Sequence, residues 1–147
     1  MTRSMMDVAL EEAHAAAERG EVPVGAVAVK DGIVLARDGN RTLEQRDPTA
    51  HAEMLVIRAA GLALASERLL GVDLYVTLEP CPMCAAALSF ARVRRLYYGA
   101  EDPKGGAVEN GVRLFRSPTC HHRPEVYSGL AEREAAALLR TFFRGRR

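Results

Sequence analysis

Four side chains in two short blocks have the types and spacing of a hydrolytic metal centre: His51 and Glu53, then Cys81 and Cys84. One imidazole and two thiolates fill three corners of a zinc tetrahedron. Structural zinc sites usually close the fourth corner with protein, whereas catalytic ones leave it to a water that the metal acidifies. Glu53, two residues from the imidazole, is placed to carry that water's proton. Taken alone, Cys81-Pro82-Met83-Cys84 fits a thioredoxin-like redox pair at a helix start about as well as a metal site. The matched His51-x-Glu53 favours metal-assisted hydrolysis and predicts one Zn2+ per chain.

These residues need particular elements to bring them together. Positions two apart on a helix point to nearly opposite sides, so His51 and Glu53 can serve one centre only from a helix's open end. Asp47-Pro48-Thr49, ahead of an Ala-rich segment, predicts such a start, with Thr49 as the cap and Leu55, Val56 and Ala59 buried further on. Proline lacks an amide hydrogen and suits the first position of a helix, so Pro82 predicts a second helix carrying Cys81 and Cys84 at its start. Met83, Ala87 and Phe90 supply its apolar face. Two positive helix ends then converge on one metal and favour thiolate over thiol.

The remaining elements follow from pattern. Ser4 and Asp7 have capping-box spacing before Met6, Leu10, Ala13 and Ala17, which predicts a helix to about Arg19, stopped by Gly20. Val22–Val29 and Gly32–Ala36 read as strands joined through an Asp31-Gly32 turn. Arg37 to Pro48 reads as a loop, Asp73–Leu78 and Arg95–Ala100 as strands, and the stretch to about Arg123 has little pattern. A short strand near Val126 precedes a helix with Leu130, Leu138, Leu139, Phe142 and Phe143 on one face. This order suits a mixed sheet covered by helices.

A chain of 147 residues with 48% hydrophobic composition fits a single domain over residues 1–147. The formal net charge of +1 excludes indiscriminate polyanion binding. Basic charge is nevertheless concentrated at the C-terminus, in Arg140, Arg144, Arg146 and Arg147. Three cysteines, two of them in C-x-x-C, favour a reducing compartment over a disulfide scaffold. No stretch approaches the ~20 apolar residues of a membrane span, and Met1–Asp7 lacks the apolar run of a signal peptide. A soluble, cytoplasmic protein with no membrane association is expected.

The pattern H-x-E followed by P-C-x-x-C resembles the signature of zinc nucleobase deaminases. Over nearly its whole length the chain resembles bacterial tRNA adenosine deaminases, which convert the anticodon wobble adenosine to inosine. The likeness runs through Gly20–Val27, Asp47–Glu53, Leu74–Cys84, the Asp102-Pro103-Lys104-Gly105 loop and the C-terminal Phe142-Phe143-Arg144. It implies a three-layer α/β/α sandwich with a central mixed five-stranded sheet, homodimers, and a tRNA anticodon stem-loop as partner. It further implies that His51, Cys81 and Cys84 hold zinc and that Glu53 shuttles protons. Asn40 would hydrogen-bond a flipped-out base, Val24 and Leu78 would wall its pocket, and Asp102 and Lys104 would lie near the flanking nucleotides. Pro82 within C-x-x-C also occurs in relatives that act on free guanine or cytosine, which keeps a free-base or nucleoside deaminase, cytidine included, as the alternative.

Other residues carry plainer readings. An Asn after Gly39 is commonly a turn residue, so the site role of Asn40 rests on the resemblance. Cys120-His121-His122 lacks a fourth donor nearby and adjacent residues chelate one ion poorly, which favours a groove or surface role. Arg92, Arg94 and Arg95 suit RNA phosphates or a solvated sheet edge equally. Tyr97 and Tyr98 must face opposite sides of a strand, one toward the core and one toward an interface or groove. Phe142 and Phe143 suit core or dimer packing, and Gly105-Gly106 a loop.

Overall fold

A computed structural model describes residues 4–146. Met1, Thr2 and Arg3 of the polar opening, and Arg147 of the basic run, lie outside the described residues. Helix α1 spans Met5–Glu18 and opens on the capping box that the sequence predicts, with Ser4 Oγ accepting from the Asp7 amide at 3.2 Å. Ala16, rather than Ala17, completes its buried face. Strands β1 (Gly25–Lys30) and β2 (Ile33–Gly39) form the hairpin, and Asp31 and Gly32 both take positive φ, as a type I′ turn demands.

Strand β2 runs three residues further than its apolar stretch. Arg37, Asp38 and Gly39, expected in a loop, pair with Val27, Ala26 and Gly25. Their polarity reflects an edge position: Arg37 reaches Glu11 and Glu12 on α1, and Asp38 binds Arg41. Next come α2 (Ala52–Leu64), β3 (Asp73–Leu78), α3 (Pro82–Ala91), β4 (Arg95–Ala100), β5 (Glu125–Tyr127) and α4 (Glu132–Arg144).

The sheet order is β2-β1-β3-β4-β5, with β1 antiparallel to both neighbours and β3, β4 and β5 mutually parallel. Strand alternation divides the core in two. Ala26, Ala28, Leu74, Val76, Leu96 and Tyr98 face α2 and α3, while Val27, Val29, Tyr75 and Tyr97 face α1 and α4. The result is the expected three-layer sandwich on a mixed five-stranded sheet. Tyr97 does not face a groove: it is sandwiched between Tyr75 and Tyr127, at centroid distances of 4.3 and 5.0 Å.

Two helix faces differ from their apolar pattern. On α2 the buried residues are Ala52, Glu53, Val56 and Ala60, while Ala59 is exposed and Leu55 half-buried. On α3, Cys84, Ala85, Leu88 and Ala91 point inward, and Phe90 is 81% exposed. In both, the start of the helix is pinned by the residues that meet at the site, and this sets the rotation of everything after it. Leu96 is fully buried in the core cluster between the sheet and α2 and α3. Leu96→Ala should therefore cost about 2–5 kcal/mol, read from the denaturant midpoint at unchanged m-value. Among the described residues, no helix is long and apolar enough to cross a membrane.

Candidate active site

The open ends of α2 and α3 meet at the C-terminal end of β3. His51 is the N-cap of α2 and Cys81 the N-cap of α3, both in extended backbone conformation, and neither side chain caps its own helix. Standing just outside the helical period frees His51 to turn toward the same point as Glu53 two residues on. Thr49 is therefore not the cap. Its hydroxyl and amide both bind Asp47 Oδ1, and the first amide of α2, Ala52 N, is instead taken by Asn40 Oδ1 at 2.8 Å. Asn40 does two things at once: its side-chain oxygen closes the helix, and the residue lines the cavity.

His51 Nδ1 lies 3.6 Å from Cys81 Sγ and 3.6 Å from Cys84 Sγ. Zinc bonds of about 2.0 Å to nitrogen and 2.3 Å to sulfur, opened to the tetrahedral angle, set those atoms roughly 3.5 Å apart. All three donor atoms lie within 4.8 Å of one another. Donor types and spacing thus fit a zinc ion, held through the Nδ1 of His51. Without metal the hydrogen bond from Cys84 drives the Cys81 thiol down to about 4, while the same bond and burial push Cys84 up. The hydrogen bond with Cys81 raises His51 against the effect of burial. Glu53 is 4% exposed, and that desolvation lifts its carboxyl to about 7, into the range of a group that both takes and gives a proton near neutrality.

These side chains open on a cavity of about 250 Å³ lined by Val22, Val24, Asn40, Thr42, His51, Glu53, Leu78, Glu79, Cys81, Asp102 and Gly105. A model of the MafB19-like deaminase family matches residues 2–147. The tRNA-specific adenosine deaminase of Agrobacterium fabrum is 70% identical over 142 residues, covering 97% of this chain and 93% of the relative. This chain belongs to the tRNA-specific adenosine deaminase family. The deaminase also superposes on a solved tRNA deaminase, from work on A-to-I editing at the wobble position of transfer RNA. That match has a TM-score of 0.91 and 70% identity, over 92% of this chain and 98% of the other. A guanine deaminase from Bacillus subtilis shares the architecture at a TM-score of 0.66 and 30% identity, over 99% of this chain and 95% of the other.

Of the residues expected around the substrate, Val24, Asn40, Leu78 and Asp102 meet at the deaminase's cavity. Lys104 does not line it. It lies in an adjoining groove of about 530 Å³ with Val22, Leu78, Glu101, Asp102, Leu139 and Phe143, so α4 forms the far bank. Cys120, His121 and His122 lie elsewhere, beside Ser89 and Phe90 of α3, and His122 Nε2 is engaged with the Val93 carbonyl at 2.6 Å. Arg94 and Arg95 pair with Asp73 and Glu125 at the opposite end of the strands.

Sequence reasoning passed over two buried carboxylates. Glu21 accepts from Thr42 Oγ1 and the Leu43 and Glu44 amides, holding the loop on one side of the cavity. Glu79 does so on the other side. Burial works to raise its carboxyl, but bonds from Asp102, Asn110 and Val108 outweigh this and hold it below its ordinary 4.5. The available signal was a charge between Leu78 and Pro80, at the end of a strand otherwise patterned for burial.

Proposed function

We propose that the deaminase is a zinc-dependent hydrolase converting adenosine to inosine at the wobble position of a tRNA anticodon loop. In this reading residues 1–147 form one deaminase domain that binds one Zn2+ and works in the cytoplasm as a homodimer. The observation that carries it is a buried Glu53 beside three donors at zinc spacing, opening on a cavity sized for one base. Zinc, held by His51, Cys81 and Cys84, would supply the Lewis acidity that makes water a nucleophile at neutral pH.

Glu53 accepts the proton that this water loses and passes it to the ring nitrogen as oxygen adds to the base carbon. It then takes the remaining proton of the added hydroxyl and gives it to the exocyclic amine, which leaves as ammonia while the carbonyl forms. Water plus adenosine then balances as inosine plus ammonia. Val24 and Leu78 hold the base, and Asn40 presents its amide nitrogen to the base edge while its oxygen stays on Ala52. The groove bearing Lys104 and Phe143, with Arg140 and Arg144 further along α4, continues outward from the cavity. Basic and aromatic side chains in that direction suit the phosphates and unstacked bases of a loop, which can deliver a splayed base at low unstacking cost.

The likeness to a guanine deaminase supports a second reading, a free-base or nucleoside enzyme. Zinc-loaded protein incubated with an anticodon stem-loop carrying a wobble adenosine, and in parallel with adenine, guanine, cytosine and cytidine, separates the two. The expected outcome is inosine in the RNA, with affinity falling steeply as salt rises. Rapid ammonia release from a free base, with no inosine in the RNA, would replace the first reading by the second.

A further inference from the structure

The loop after β4 carries Asp102 and Gly105 into the cavity and Lys104 into the groove, yet it contains no regular strand or helix between Ala100 and Leu114. A loop of that kind needs an anchor for its backbone. Glu79 provides one from below. Its Oε1 accepts from the Asp102 amide at 2.9 Å and from Asn110 Nδ2 at 2.6 Å. Its Oε2 accepts from the amides of Val108, Glu109 and Asn110 at 3.0, 2.9 and 3.0 Å.

Five donors on one carboxylate gather both ends of the loop to a single point. Gly106 is shaped to the same contact, since a Cβ there would fall 2.5 Å from Glu79 Cδ. Asp102 in turn accepts from the Lys104 and Gly105 amides, so the turn that carries the recognition residues hangs on the Asp102 amide and through it on Glu79. We infer that Glu79 is a positioning residue that fixes the 102–105 turn for the nucleotides flanking the target base. The inference rests on the RNA reading of the site, and it assigns Glu79 to substrate affinity rather than to the proton transfers.

Replacing one carboxylate oxygen by an amide makes the inference sharp. In Glu79→Gln the new NH2 group avoids the three amides at Oε2 only by taking the Oε1 place. There Asn110 can rotate its own amide to accept, but the Asp102 amide is left facing a donor. Hydrogen exchange in the zinc-loaded protein should therefore quicken at Asp102, Lys104 and Gly105 while the first turns of α2 and α3 keep their protection. With the anticodon stem-loop as probe, KM should rise about tenfold while kcat stays within about threefold, the loss expected of one charge-assisted bond that serves binding alone.

Unchanged exchange at 102–105, or a fall in kcat at constant KM, would overturn the assignment. If wild-type protein fails to deaminate the stem-loop, the RNA reading falls, and the exchange experiment still decides whether Glu79 holds the turn. Should Glu79→Gln not fold, Asn110→Ala removes one bond from the same carboxylate and leaves its charge. It must then shift exchange and KM in the same direction, and no shift in either would also overturn the inference.

Discussion

Glu53→Gln should keep one zinc per chain and lose about 10²–10⁴-fold in kcat on the anticodon stem-loop, the range that a positioned acid–base group contributes. The side chain is buried with the shape of its carboxylate already accommodated, so an isosteric amide leaves packing intact and removes only the ability to take and return a proton. Metal analysis and single-turnover kinetics on the same preparation read the two halves separately. Retained turnover would remove Glu53 from the chemistry, and lost zinc would reassign it to the support of the metal.

The same variant has an expected signature in metal-free protein. A carboxyl raised from 4.5 to about 7 by burial favours the folded state while protonated, so its contribution is complete below the unfolded value and disappears as pH climbs through the folded one. Between pH 4.5 and 7 the metal-free wild type should lose stability relative to Glu53→Gln, which has no proton to release there. Urea midpoints at pH 4.5 and 8 check the sign. In the proton-carrying role proposed for it, Glu53 acts against the fold at the pH where it works, a conflict familiar in active sites.

Cys84→Ala should abolish both zinc retention and deamination. Cys84 is fully buried at the third position of α3, and its sulfur is one of the three candidate donor atoms that lie within 4.8 Å of one another among the described residues. Removing it leaves an imidazole and one thiolate, too few for a site meant to hold metal through turnover. Metal-binding energy is also folding energy, so the zinc-loaded wild type should melt well above the variant, and chelator should bring the two close together. Calorimetry with and without chelator makes the comparison. A variant that keeps stoichiometric zinc and full activity would remove Cys84 from the ligand set.

What could be read in advance was whatever depends on neighbours in sequence. The Ser4 and Asp7 box, the Asp31-Gly32 turn and Pro82 at a helix start are each local, and each stands where the pattern places it. The convergence of His51, Cys81 and Cys84 was legible because spacing in two blocks encodes it. Thr49 misled for a reason of tertiary origin: Asn40, twelve residues upstream of Ala52, supplies the cap, which frees the N-cap position for a metal-type ligand. Ala59 and Phe90 misled because an apolar residue on a short helix does not disclose which way the helix is rotated. Glu79 was invisible because its five partners come from a loop more than twenty residues away, and no pattern in either segment announces the other.

The tyrosine ladder across β3, β4 and β5 gives this chain its own optical reporter. With no tryptophan and four tyrosines, all at positions 75, 97, 98 and 127, near-ultraviolet absorption and emission come chiefly from the parallel half of the sheet. Three of these rings are stacked in register and the fourth is sealed in the core on the opposite face. Melting of that half will therefore register directly in tyrosine emission. Tyr98 shares its core cluster with Ala107 and Val108 of the loop after β4, so the same emission also senses motion at the mouth of the cavity, and the stacked trio reports the scaffold alone.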